Sequence, residues 1–248
     1  MTGTLAHIAR HPIKSHGRED LASVQLTAGQ GLPFDRHWAV AHEAAKLVVG
    51  WNPCVNFSRG AKAPALMAIS AHLTEATGQV TLMHPDKSNL TFRPDDLADL
   101  AQFLAWVGDL TPADRAQPAQ IVSGGVAMTD TDFLSVSIFG LASNRDLSGK
   151  MGQDLSPHRW RGNLWLDGLA PWAEFDWVGR DVQIGEAVLH VEERIVRCKA
   201  TSANPATGQI DADTLGALHG GFGHQEFGVY ARVVTGGLTA LGDKVTLL

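Results

Sequence analysis

Apolar and polar residues alternate in short runs along most of this chain, and one stretch clearly breaks into helical spacing. Val24-Gln25-Leu26, His37-Trp38-Ala39-Val40, Val80-Thr81-Leu82-Met83 and Leu90-Thr91-Phe92 each lie between Gly, Pro and Asp punctuation. Such runs predict strands. After Pro94-Asp95 the pattern changes: Leu97, Leu100, Ala101, Leu104 and Val107 recur at helical spacing and Gly108 closes the run, which predicts a helix. Residues 111–129 read as a connector with two prolines and a glycine pair. A short helix is expected over Phe139–Leu147 with Ser137 as its N-cap. Strands follow at Asn163–Leu166, Asp181–Ile184, Ala187–Val191 and Arg194–Cys198. A last helix is expected over Asp211–Leu218, capped by Asp211 and ended near Gly220, and Phe227–Val234 and Lys244–Leu248 complete the strands.

This pattern predicts a mainly β protein with a few helices. Many short strands separated by turns point to a β-barrel rather than a parallel sheet. We expect two closely packed parts: a β-rich N-terminal part over residues 1–115, and a barrel over 116–248 that borrows a strand from the first. The tryptophans Trp160, Trp165, Trp172 and Trp177 are expected in the core.

Composition narrows the partners. The chain has 248 residues, 44% of them hydrophobic and 19% charged, enough for a substantial core and too few charges for disorder. A net charge of -6 argues against a nucleic-acid partner or an anionic membrane surface. Two cysteines exclude a disulfide framework and fit a reducing compartment. Met1–His7 lacks the basic and apolar regions of a leader, and no run reaches the roughly 18 apolar residues of a membrane span. A cytoplasmic protein is expected.

Candidate chemistry centres on Arg197-Cys198-Lys199-Ala200-Thr201-Ser202, which runs into Asn204-Pro205-Ala206-Thr207-Gly208. A thiol between two cations is expected to ionise readily, and thiolates bind soft transition metals. Strand alternation would turn Arg197 and Lys199 away from Cys198. The Asn-Pro turn can bring the Thr201 and Ser202 hydroxyls toward the thiol. Cys54 has no such company and is read as structural.

Three further clusters suit an anion. Lys14 and Ser15 follow a bend at Pro12. Arg36, beside Asp35, is suited either to a structural ion pair or to bidentate grip of a phosphate. Arg161 and Asn163 share one face of a strand entrance in His158-Arg159-Trp160-Arg161-Gly162-Asn163.

The succession Pro-x-Lys-Ser, Asp-Arg-x-Trp, Arg-x-Asn and Arg-Cys-x-x-Thr, with Asp130-Thr131, Phe227-Gly228-Val229-Tyr230 and Gly242-Asp243-Lys244-Val245, resembles the MOSC-domain family over nearly the whole chain. It is most similar to the family's reductase branch, which includes the mitochondrial amidoxime reducing component. The resemblance implies a MOSC N-terminal domain ahead of a MOSC barrel, with a molybdenum cofactor (a phosphorylated molybdenum-pyranopterin) in the cleft between them. By position, Cys198 becomes the metal's protein ligand, and Thr201 lies beside the metal. Lys14, Ser15 and Arg36 fall at the phosphate, Arg161 and Asn163 at the phosphate or pterin edge, and Asp130 and Thr131 in the same binding set. The implied activity is reduction of N-hydroxylated compounds such as amidoximes, hydroxylamines and hydroxamic acids. Two cysteines cannot form a four-thiolate iron–sulfur cluster, so a separate electron-donor protein of flavoprotein, ferredoxin or cytochrome b5 type is expected. The alternative is a cofactor or sulfur carrier without reductase activity. His158, His219 and His224 are candidate proton sources.

Overall fold

The computed structural model describes residues 3–248. Met1 and Thr2, which begin the segment read for a leader, lie outside them.

The N-terminal half carries β1 (Gly3–Arg10), β2 (Ile13–Lys14), β3 (Glu19–Leu21), β4 (Ser23–Leu26) and β5 (Trp38–His42). A meander of β6 (Ser70–Thr74), β7 (Gln79–His84) and β8 (Lys87–Phe92) follows, then helix α1 (Leu97–Gly108) and β9 (Pro118–Val122). The C-terminal half carries β10 (Val136–Gly140), α2 (Leu141–Met151), β11 (Leu164–Asp167), β12 (Asp181–Ile184) and β13 (Ala187–Val196). It ends with α3 (Thr214–Phe222), β14 (Glu226–Thr235), β15 (Gly237–Ala240) and β16 (Lys244–Leu247).

Seven strands close a ring in the order β11, β10, β14, β13, β12, β16 and β1, with β1 returning to β11. Closure leaves the ring without free edges. β1, from the chain's start, is the borrowed strand that completes it. Within the ring only β10 and β11 run parallel, and their crossover contains α2, as parallel pairing requires. Ala187, Leu189 and Val191 of β13 face Val229, Ala231 and Val233 of β14 inside the barrel, all buried. A buried Leu or Val contributes about 1.5–3 kcal/mol.

A second core lies outside the ring. The β6–β8 meander lays Val80, Leu82 and Phe92 on Phe103 and Val107 of α1, with Phe92 stacked on Phe103 at 5.0 Å between centroids. The helix stands where its spacing predicts. Its N-cap Asp96 accepts a hydrogen bond from the Ala98 amide at 2.9 Å.

Several elements differ from the sequence reading. Residues 118–122 are a strand paired with β5, so the N-terminal sheet continues beyond residue 115. Ser137 caps no helix. It lies in β10, where its hydroxyl donates to the Asn163 side chain at 2.8 Å, and Phe139 is buried against Trp165 at 4.8 Å. The start of α2 is instead served by Glu174, which accepts from the Gly140 amide at 3.3 Å and the Ser143 hydroxyl at 2.8 Å. α3 is capped by Asp213, through the Gly216 amide, because Asp211 is paired with Arg159 at 2.6 Å. The helix runs past Gly220 to Gly223, whose φ of 77° forms the C-cap. The two strands expected at 187–191 and 194–198 are one bulged strand ending at Val196. Trp160, Trp165 and Trp177 are buried, and Trp172 is half-buried.

Candidate functional site: a cationic cleft with an exposed thiol

The early end of β13 decides where the cysteine points. Arg197 pairs through its amide with Gln225 O at 2.9 Å, and the chain then enters a 3-10 turn over Lys199–Ser202 with extended Cys198 at its head. Strand alternation no longer applies, so Arg197 and Cys198 line the same cavity. Lys199 is exposed and outside it. The Asn-Pro turn forms as expected: Asn204 accepts from the Ala206 amide at 2.8 Å through its side chain and from the Gly208 amide at 2.8 Å through its carbonyl. Gly208 has φ 72°, and a Cβ there would meet Ala65 Cα at 2.7 Å, so glycine alone fits.

The cavity, about 270 Å³, lies between the N-terminal part and the barrel. Lys14, Ser15, Arg36, Cys54 and Arg59 come from the first, and Asp130, Arg159, Arg161, Arg197, Cys198 and Tyr230 from the second. Ser15, Arg36 and Arg161 all hold left-handed backbone, at φ 63°, 51° and 52°. Such conformations are costly for non-glycine residues and cluster at functional sites.

Three of the cations are already paired, Arg159 with Asp211 as described above. Lys14 donates to Asp130 at 2.5 Å and to Met128 O at 2.7 Å. Burial pushes the Asp130 carboxyl up in pKa, but Lys14 and Arg36 outweigh it, and the net shift is downward. Arg36 pairs with Asp35 and donates to the backbone carbonyl of Arg161 at 2.7 Å. Asp35 is fully buried. Desolvation opposes its charge, yet Arg36 and His11 hold the carboxyl far below the usual range.

Arg59, Arg161 and Arg197 have no carboxylate partner among the described residues. Arg59 donates to Cys54 Sγ at 3.1 Å, and Arg197 donates to Trp160 O at 2.6 Å. Burial first, and Arg36 next, press Arg161 down to about 9. Arg161 Nη2, Arg159 Nε and Arg197 Nε are buried without a protein partner. Buried charged donors normally find acceptors. A ligand with several anionic oxygens fits this donor set.

Three residues from the sequence reading lie off the cavity. Thr201 is fully buried; its hydroxyl pairs with Thr214 at 2.6 Å and with Cys198 O at 3.0 Å. These bonds fix the turn beneath the thiol and engage the hydroxyl within the protein. Asn163 clamps β10 to β1, accepting from Ser137 and donating to Ala9 O at 3.2 Å. It borders a pocket of about 10 Å³ beside Arg36 and Tyr230, room for one water. Thr131 donates to Phe133 O at 2.8 Å and meets Ser135.

The histidines also fall elsewhere. His158 lies in a separate groove, His224 packs among Trp172, Phe175 and Phe222, and His219 sits in the last turn of α3. Sequence reasoning missed Arg59 and Tyr230 as site residues and set Cys54 aside. Burial and Asp130 raise the Tyr230 phenol to about 12, so it keeps its proton at neutral pH.

Two buried histidines behind the cavity set its acid limit. Burial lowers His11, and Arg161 and Arg36 add to the effect. Burial lowers His16 to about 4. A base whose folded pKa is depressed contributes stability above its unfolded value, near 6.5, that is lost as pH falls through the folded value. For His16 the loss between pH 6.5 and 4 is about 3 kcal/mol. Urea unfolding at several pH values is expected to show a shallower acid slope in His16→Gln than in the parent, whatever the variant's offset at pH 7. An equal slope would contradict this reading.

Fold and site define a β-barrel protein with a thiol-bearing, anion-receptive cleft against an N-terminal β domain. Residues 2–122 match the MOSC N-terminal beta barrel domain and residues 129–246 the MOSC domain. The chain belongs to the MOSC family. MOSC domains are associated in general with molybdenum-cofactor binding.

The crystal structure of YuaD from Bacillus subtilis is similar at 12% identity and TM-score 0.47, over 99% of this chain and 94% of that one. YiiM from Geobacillus stearothermophilus is similar at 18% identity and TM-score 0.35, over 46% of this chain and 53% of that one. YiiM from Escherichia coli is similar at 15% identity and TM-score 0.32, with the same coverage. No curated protein matches the chain. Among the described residues, no helix is long and apolar enough to cross a membrane.

Proposed function

We propose that the cleft binds a molybdenum cofactor and that the loaded protein reduces N-hydroxylated compounds with electrons from a separate donor protein. The observation that carries this reading is the set of buried guanidinium N–H donors without a protein partner around one cavity that also exposes a cysteine sulfur. Cys198 would be the protein's sulfur ligand to the metal. Arg161, Arg197 and Arg59 would take the anionic end of the cofactor, with the Ser15 hydroxyl beside them. When bound, the cofactor supplies a redox centre able to remove oxygen from an N–O bond with two electrons and two protons.

The chain's own groups do the rest. Asp35 holds Arg36, and Arg36 holds the left-handed turn that aims Arg161 at the cavity. Asp130 holds Lys14 at the cavity wall. Tyr230 keeps a proton at the cavity wall. Phe139 and Trp160 give the cavity an apolar side that Arg197 spans at 5.7 Å from each ring.

A carrier that holds the cofactor or relays sulfur without reducing anything is the second reading. It is favoured by one observation: among the described residues no histidine lines the cavity to shuttle protons at neutral pH. Benzamidoxime with a low-potential artificial donor separates the two. Protein purified from a cofactor-producing host is expected to release benzamidine over many turnovers. Cofactor-loaded protein that releases none supports the carrier.

A further inference from the structure

On the barrel's outer side β1 carries a bulge between Leu5 and His7. A bulge adds a residue and re-aims the side chains beside it. Here the inward–outward alternation breaks: Leu5 and Ile8 are both buried, and His7 between them is turned partly outward. β3 pairs Asp20 with Ala9, which places Asp20 diagonally next to His7 on the same face. His7 Nε2 lies 2.7 Å from Asp20 Oδ1.

The third member comes from the crossover. Ser156 accepts from the His158 amide at 3.3 Å, with Pro157 between them, and this capped turn brings the His158 ring to 5.3 Å from that of His7, edge to face. One ligand atom from each of His7, Asp20 and His158 lies within 4.8 Å of the others.

We propose that His7, Asp20 and His158 form a binding site for a divalent late transition ion of the zinc and cobalt class. Two imidazoles and one carboxylate are a donor set for Zn²⁺, Co²⁺ or Ni²⁺ and a poor one for Mg²⁺ or Ca²⁺. Bonds of about 2.0–2.2 Å draw three ligand atoms to roughly 3–3.5 Å of one another. Asp20, with 61% of its side chain exposed, is free to rotate and close the remaining gap. Its second oxygen and solvent can fill the open positions, because Asp20 and His158 border a groove of about 400 Å³.

The cation Arg18 borders the same groove. Its guanidinium is held by the carbonyls of Met67, Ile69 and Pro205 at 2.9–3.0 Å, near enough for its charge to act on Asp20 and His158. The ion would tie β1 and β3 to the 157–161 turn. That turn also carries Arg159 and Arg161 into the cleft, so the metal would brace one wall of the main site from behind.

The test is a Co²⁺ titration of tag-free, chelator-stripped full-length protein, read by visible absorption and thermal unfolding. Saturation at one equivalent with a Kd of about 10 µM or tighter, visible bands without sulfur charge-transfer absorption, displacement by Zn²⁺, and a higher Tm are expected. Asp20→Asn, at an exposed position, and His158→Asn are each expected to weaken binding at least about 30-fold. Absence of saturable binding below about 1 mM, sulfur charge-transfer bands, or unchanged affinity in both variants would overturn the site.

Discussion

Arg161→Met is expected to make the ligand-free protein more stable and the loaded protein harder to form. The Arg161 side chain has no protein hydrogen-bond partner for its buried Nη2. It is desolvated and repelled by Arg36. A buried charge without compensation costs about 1–3 kcal/mol, and methionine of similar length removes that cost. The backbone carbonyl that receives Arg36 is untouched, and both residues face the same cost of a left-handed backbone. At about 2–4 °C per kcal/mol for a chain of this size, the apo Tm is expected to rise by roughly 3–10 °C. Cofactor retention is expected to fall about 10–100-fold, the worth of one charge-assisted hydrogen bond or slightly more. Opposite signs on stability and loading mark a residue kept for a ligand, not for the fold. A lower apo Tm would mean that Arg161 supports the empty protein and that the cleft's cations are structural.

Cys198→Ser is expected to abolish reduction of N-hydroxylated substrates while leaving the fold intact. Cys198 is exposed, and exposed substitutions away from special features change stability by about 0.5 kcal/mol or less. Loss of the sulfur ligand is expected to lower turnover on the order of 10³-fold or more, about 4 kcal/mol in barrier. The control is Cys54→Ser. Cys54 lines the same cavity but is half-buried and engaged by Arg59, and most activity is expected to remain. The reverse outcome, with activity lost in Cys54→Ser and kept in Cys198→Ser, would reassign the sulfur ligand.

Elements with internal periodicity were legible in the sequence. α1 and the barrel strands β12, β14 and β16 stand close to where spacing puts them, because each buries a face of its own. β9 hid in the connector because it is a short, half-exposed strand with proline at its first residue. The starts of α2 and α3 were misread for one reason. Their capping groups are allocated by distant partners: Asn163 takes Ser137, Arg159 takes Asp211, and Glu174 serves the start of α2 from across the fold.

The cleft divides the same way. Lys14, Arg36 and Arg161 stood out as cations beside turn signals, but nothing local marks Ser15, Arg36 and Arg161 as left-handed or shows which cations are paired. Arg59 and Cys54 sit in a loop without periodicity, so only the folded chain brings them to the thiol. Thr201 illustrates the converse. A hydroxyl three residues from a reactive cysteine looks catalytic in a sequence, yet Thr214, thirteen residues on, takes it.

The most direct measurement is molybdenum per chain in wild-type and Arg161→Met protein, purified from a host that loads a second molybdenum-cofactor enzyme in the same cells. About one atom per wild-type chain, and a clear deficit in the variant, is the expected result. A fully loaded control enzyme beside metal-free wild-type protein would contradict the assignment of this cleft to the cofactor.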